Sequence, residues 1–219
     1  MVGARTAQTV LISFGLVSLG VAIPFLWRSL PWKRLLAYSS LEHMGVIALG
    51  IGFATPLALA GVAVHIAGHA VAKALGFYAA TPLLGHEPRA AGHAVTGVGR
   101  TEPALGATMG VSLGALSGLP PSPLFVSEVL IVAGGFQAGR PWAAAATALL
   151  LALGFLGLAH ALIETTTGKA RRRSRLRAPG LRGVSALAGV SVVLLLALAA
   201  AGLWLPGTDL VDALAKGAS

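Results

Sequence analysis

Three side chains that can carry protons recur at fixed helical spacing in this sequence: His65, His69 and Lys73 stand at i, i+4 and i+8. On an α-helix that spacing places all three on one face, spread over about 12 Å of axial rise. Such a ladder suits proton transfer, because each group can accept and release a proton near its neighbour. Buried hydrogen bonding with no transport is the other reading the spacing allows. Metal ligation by His65 and His69 lacks the third or fourth ligand that zinc takes, and no third histidine or carboxylate lies nearby along the chain. Further ionisable groups interrupt other apolar stretches: Glu42 and His43 in one, Glu128 in another, and His160 with Glu164 near the end of a third. Glu164 is close enough to a basic loop to reach the interface, so that pair reads as structural.

The stretches that hold these groups are too apolar for water. The chain has 219 residues, 56% hydrophobic and 11% charged, where soluble domains carry roughly 25% charged residues. Runs long enough for a bilayer-spanning helix cover 9–28, 35–54, 57–85, 103–138, 141–165 and 183–205. The expected fold is therefore an all-α integral membrane domain over residues 1–219, with about six transmembrane helices, one of them broken. An ionised group near mid-bilayer costs about 2.5–3.5 kcal/mol on insertion scales. Glu42, Lys73 and Glu128 are expensive to keep there unless they have partners or a function.

The break falls in the fourth run. Gly106, Gly110, Gly114 and Gly118 repeat every fourth residue, forming a flat ridge that a neighbouring backbone can approach closely. The ridge ends at 119–123, where Pro120, Pro121 and Pro123 cannot continue a helix. A break at membrane depth frees backbone groups that protein, water or an ion must satisfy, so it points to a cavity or pathway. A hairpin of two half-helices, or a kink without transport significance, is the alternative.

Charge placement sets the expected orientation. Arg28, Lys33, Arg34, Arg89, Arg100 and the cluster in loop 166–182 fall on one side of the alternating loops, leaving only Arg5, Arg140 and Lys216 opposite. The positive-inside rule makes the first side cytoplasmic, with both termini outside the cell membrane. The formal charge of +9 thus reads as topology and lipid-headgroup contact, not as a nucleic-acid surface. With no cysteine, the chain has no thiolate for an iron–sulfur cluster and no disulfide. Phosphate-loop, His-Glu-x-x-His and EF-hand spacings are missing as well.

Three ordered segments carry a resemblance. The run Pro31-Trp32-Lys33-Arg34-Leu35-Leu36-Ala37-Tyr38-Ser39-Ser40-Leu41-Glu42-His43-Met44-Gly45 is followed by His65-x-x-x-His69-x-x-x-Lys73-Ala74-Leu75, and then by Pro121-x-x-x-Phe125-Val126-Ser127-Glu128. Together they resemble the antiporter-like proton-translocating subunits of respiratory complex I, membrane-bound hydrogenases and multisubunit sodium/proton antiporters. The Glu-His-Met-Gly variant looks most like the hydrogenase-4 and formate hydrogenlyase group. The resemblance implies a mid-membrane path in which His65, His69 and Lys73 form the ladder and Glu128 is the terminal exchange group. Lys33, Glu42 and His43 belong to the same implied path. It also implies a non-catalytic subunit, with iron–sulfur, flavin or nickel–iron centres confined to partner subunits. Family members have about fourteen helices in two inverted repeats, and only the second repeat and one following helix are matched here. Other membrane-arm subunits are therefore the expected partners, including a chain that supplies the first repeat against exposed ridges such as Gly106–Gly118. A structural or assembly subunit that moves no protons is the alternative function.

Overall fold

The computed structural model describes residues 2–84, 96–168 and 184–204, all built from helices and short connections. Eight helices follow in order: α1 (Val2–Leu26), α2 (Trp32–Phe53), α3 (Pro56–Leu84), α4 (Val98–Thr101), α5 (Pro103–Leu116), α6 (Pro123–Gln137), α7 (Pro141–Thr167) and α8 (Val184–Trp204). Of these, α1, α2, α3, α7 and α8 are long and apolar enough to cross a membrane by themselves. The basic loop 166–182 lies, from residue 169 onward, outside the described residues, as do Arg89 and the segment after Trp204.

Proline punctuates the helix starts. Pro103, Pro123 and Pro141 each sit in the first turn of their helix, where the missing N–H has no intrahelical partner to lose. Ser122 adds a side-chain cap to α6, accepting from the Phe125 N–H at 3.2 Å. Two helix ends use left-handed glycine. At Gly118 (φ 73°) the Leu119 N–H donates to the Gly114 carbonyl at 3.0 Å and the Gly118 N–H to Ala115 at 3.0 Å. Gly139 (φ 69°) closes α6 with the same pattern onto Gly135 and Phe136.

The fourth run is one crossing cut in two. With 14 and 15 residues, α5 and α6 are each too short to span the hydrocarbon core. Both lie antiparallel along α3 in continuous register. Ser112 of α5 donates to the Ala72 carbonyl, Pro123 rests on Gly68, the Ser127 carbonyl faces Gly61, and the Gly134 carbonyl accepts from Thr55. A hairpin would turn α6 back along α5; the observed register carries it onward. Six crossings result, with the fourth interrupted between Leu116 and Pro123.

Small residues set the helix spacing. Gly15, Gly45 and Gly52 bring α1 against α2, and Gly61, Gly68 and Gly134 bring α3 against α6; at each of these positions a Cβ would meet the facing helix at 3.1 Å or less. In lipid, where apolar surface gains little from being buried, such close approach is the main source of helix adhesion. The glycine ridge of α5 is covered only in part from within the chain. Gly106 packs on Gly99 of α4 and Gly110 faces Leu162 and Thr166 of α7. Gly110 and Gly114 also front an apolar groove of ≈ 370 Å³ that Val192 and Leu195 of α8 line from the far side.

Candidate functional site

The centre of the site is α2. Glu42 and His43 are 3% and 1% exposed, and each faces a different set of groups. His43 sits among the other two histidines: its ring centroid is 5.1 Å from that of His65 and 4.6 Å from that of His69. The His43 Nδ1 and His65 Nε2 atoms are 3.1 Å apart, within hydrogen-bond distance. On its other side, His65 Nδ1 lies 2.8 Å from the Ser127 hydroxyl, which in turn donates to the Leu124 carbonyl at 2.7 Å. Two ring nitrogens in this group, His43 Nε2 and His69 Nδ1, are buried with no hydrogen-bond partner. Buried polar atoms are nearly always satisfied, and exceptions mark places where water, an ion or a moving proton belongs.

Lys73 finds its hydrogen-bond partners on α2. Its ammonium is hydrogen-bonded to the Leu36 carbonyl and, at 2.6 Å, to the Ser39 hydroxyl, both on α2. The carboxylate within its electrostatic reach is Glu42. Glu42 acts on Glu128 as well, so one side chain of α2 couples electrostatically to the lysine of α3 and to the acid of the broken crossing. Glu42 is nested against α7, where a Cβ at Gly154 would collide with its Oε1, and its Oε2 has no partner.

Glu128 stands in the second turn of α6 and turns back over the break: Gly118, the residue that ends α5, leaves room for its carboxylate, with Oε2 2.7 Å from where a Cβ would stand. His43, His65 and Glu128 offer donor atoms within 4.8 Å of one another. Two imidazoles and a carboxylate form a zinc-type donor set, and this third ligand comes from across the fold, invisible to local spacing. In the present arrangement the His43 and His65 nitrogens are already engaged with each other.

Of the residues singled out in the sequence, Glu42, His43, His65, His69, Lys73 and Glu128 are therefore brought to one region between α2, α3 and α6. Lys33 is not among them. It is exposed in the first turn of α2, ten residues and about 15 Å of helix from His43. Pro120, Pro121 and Pro123 form the break itself, with Pro123 against Gly68, which lies between His65 and His69 of the ladder. His160 and Glu164 pair with each other at 3.4 Å in an exposed position. Ser39, Ser127 and Gly154 were not identified from the sequence, and Gly118 was identified only as part of the glycine ridge. Ser39 and Ser127 sit inside the quoted motifs, next to groups that were recognised, but a serine by itself gives no sign of which helix it will face.

The sequence matches a known family. The family described as NADH:quinone oxidoreductase/Mrp antiporter, TM, matches residues 4–157, a stretch that contains every helix and side chain of the cluster. The chain belongs to this family. It is 32% identical over 169 residues to a hydrogenase-4 component F homolog of Methylacidiphilum infernorum, covering 77% of this chain and 35% of that one. It is also 30% identical over 183 residues to NADH-quinone oxidoreductase subunit N of Salinibacter ruber, covering 80% and 36%. The chain thus spans about a third of the length of these relatives. Among solved structures, a chain of respiratory complex I from Thermus thermophilus superposes with a TM-score of 0.77 at 26% identity, over 99% of this chain and 46% of that one. A chain of the Mrp complex from Dietzia sp. shares the fold, with a TM-score of 0.72 at 19% identity. The protein is a multi-pass membrane subunit of the antiporter-like family, and its all-helical architecture is that of the family's membrane subunits.

Proposed function

We propose that this chain supplies a half-channel for protons, or another small cation, in a redox-driven translocating complex. The observation that carries the reading is the joint placement of Glu42 and His43. Side by side on α2, Glu42 lies within electrostatic reach of Lys73 and Glu128, and His43 stands against the rings of His65 and His69 with a donor atom within 4.8 Å of a Glu128 oxygen. Charge arriving at one end is felt at the other through a single element, which is what electrostatic gating of a proton requires. The unpartnered nitrogens of His43 and His69 are the places where protons or water would enter the chain of groups.

On this reading the chain moves protons and makes no covalent bonds with substrate. Electron transfer, with its flavin, iron–sulfur or nickel–iron centres, takes place in partner subunits. The partners are other membrane-arm subunits, among them one that supplies the helices this chain does not match in its longer relatives.

One observation favours a second reading, that of a structural subunit. Lys73 is satisfied directly by the Leu36 carbonyl and the Ser39 hydroxyl, as a static buried lysine would be. The two readings differ in hydration. Cryo-electron microscopy of the assembled complex, at a resolution that shows ordered water, should reveal water connecting Lys73, His69 and Glu128. A dry site with only direct contacts would favour the structural subunit.

A further inference from the structure

We propose that Ser127 is a switchable hydroxyl in the proton path, the link that passes a proton between His65 and the broken crossing; the inference rests on the reading that this site moves protons. Its basis is the inventory of hydrogens. Ser127 has one hydroxyl hydrogen and two neighbours that can take it: the Leu124 carbonyl at 2.7 Å and His65 Nδ1 at 2.8 Å. A neutral imidazole likewise has one N–H and one lone pair, so the choice Ser127 makes fixes every hydrogen bond behind it.

Two complete arrangements exist on the same heavy-atom positions. In the first, Ser127 donates to the Leu124 carbonyl and accepts from His65 Nδ1–H. His65 Nε2 then accepts from His43 Nδ1–H, and His43 Nε2 is left as a bare lone pair. That atom is buried and without a partner in the structure. In the second, Ser127 donates to His65 Nδ1, His65 Nε2–H donates to His43 Nδ1, and His43 Nε2 carries the hydrogen. The Leu116 carbonyl, at the end of α5, lies near the His43 ring. The chain of groups thus begins near the last carbonyl of α5 and ends in the first turn of α6, bridging the break through α2 and α3.

Passing from the first arrangement to the second moves one proton. A proton arriving at His43 Nε2 forms an N–H bond there while His43 Nδ1–H passes to His65 Nε2. His65 Nδ1–H passes to Ser127 Oγ, and the hydroxyl's own proton leaves for the Glu128 carboxylate. Glu128 follows Ser127 directly on α6 and presents an oxygen within 4.8 Å of one donor atom each of His43 and His65; in the proposed relay the last transfer, from Ser127 Oγ to this carboxylate, runs through one water. One proton enters and one leaves, with no change in electron count. Ser127 is the member that hands the proton from the two histidines of α2 and α3 to α6. A sub-ångström slide of α6 along α3 would stretch the 2.8 Å contact and open the path.

The test uses the chain purified with its native partners and reconstituted in proteoliposomes. Proton uptake is driven by a potassium–valinomycin potential and expressed per assembled complex. Ser127→Ala should lower the flux about tenfold or more, and Ser127→Thr, which keeps the hydroxyl, should restore most of it. Unchanged flux in Ser127→Ala alongside lost flux in Lys73→Ala overturns the role of Ser127 and leaves the proton path standing. Unchanged flux in both overturns the proton path itself. Reduced assembly with normal flux per complex also overturns the relay role, since it marks Ser127 as structural. For the unaltered protein, 15N NMR of the histidines should show His65 exchanging between its Nδ1–H and Nε2–H forms; a single fixed tautomer overturns the proposal even if the variants do not assemble.

Discussion

At the residue scale, the site depends on side chains that make room as much as on those that titrate. Glu42 fits beside α7 because position 154 has no side chain. Gly154→Ala should destabilise the protein by about 1–3 kcal/mol through overpacking, read as a lower melting temperature in detergent. The double variant Gly154→Ala/Glu42→Ala should recover much of that loss, because the two atoms that clash are then not both present. An unchanged melting temperature in the single variant would show that the close approach is not real. The titratable members of the cluster were legible in the sequence because depth makes an idle charge costly. The i, i+4, i+8 spacing pointed to the ladder, and the motif around Glu128 to the break. The pairing of Lys73 was not legible. It depends on Leu36 and Ser39 of the preceding helix, a contact across 34 to 37 residues that no local pattern encodes.

At the scale of elements, the interrupted crossing organises the site. The glycine that ends α5 has two duties, a left-handed turn at φ 73° and a space for the Glu128 carboxylate. Gly118→Ala should therefore cost about 1 kcal/mol or more for the backbone alone and displace Glu128 as well. Ser122→Ala removes only the N-cap of α6, at about 1 kcal/mol. Both variants should melt earlier, but only Gly118→Ala should also reduce proton flux per assembled complex; equal effects on flux would mean that Gly118 serves the turn alone. The sequence announced the break through its prolines, but left open whether a hairpin, a kink or a functional interruption followed. The register of α5 and α6 along α3 decides between hairpin and single crossing, and it is set by contacts such as Pro123 on Gly68 and Thr55 on the Gly134 carbonyl. The glycine ridge was legible as a packing surface. Its occupants were not, since α7 is distant from it in sequence and α4, though adjacent, is too short to stand out.

At the scale of the molecule, six crossings place their polar groups between α2, α3 and α6 and leave large apolar side chains on the outside. Phe14, Leu149, Val190, Val193 and Leu203 are each at least 63% exposed, as suits surfaces that meet lipid or other apolar helices. Composition made the membrane setting legible at once, since lipid requires each crossing to be both helical and apolar. The central claim is that the cluster carries protons, and it is tested most directly by proton flux in proteoliposomes containing the chain with its native partners. Lys73→Ala and Glu128→Gln should each abolish the flux while the complex still assembles. Flux at the level of the unaltered protein in both variants would contradict the account and leave the cluster as a buried structural network.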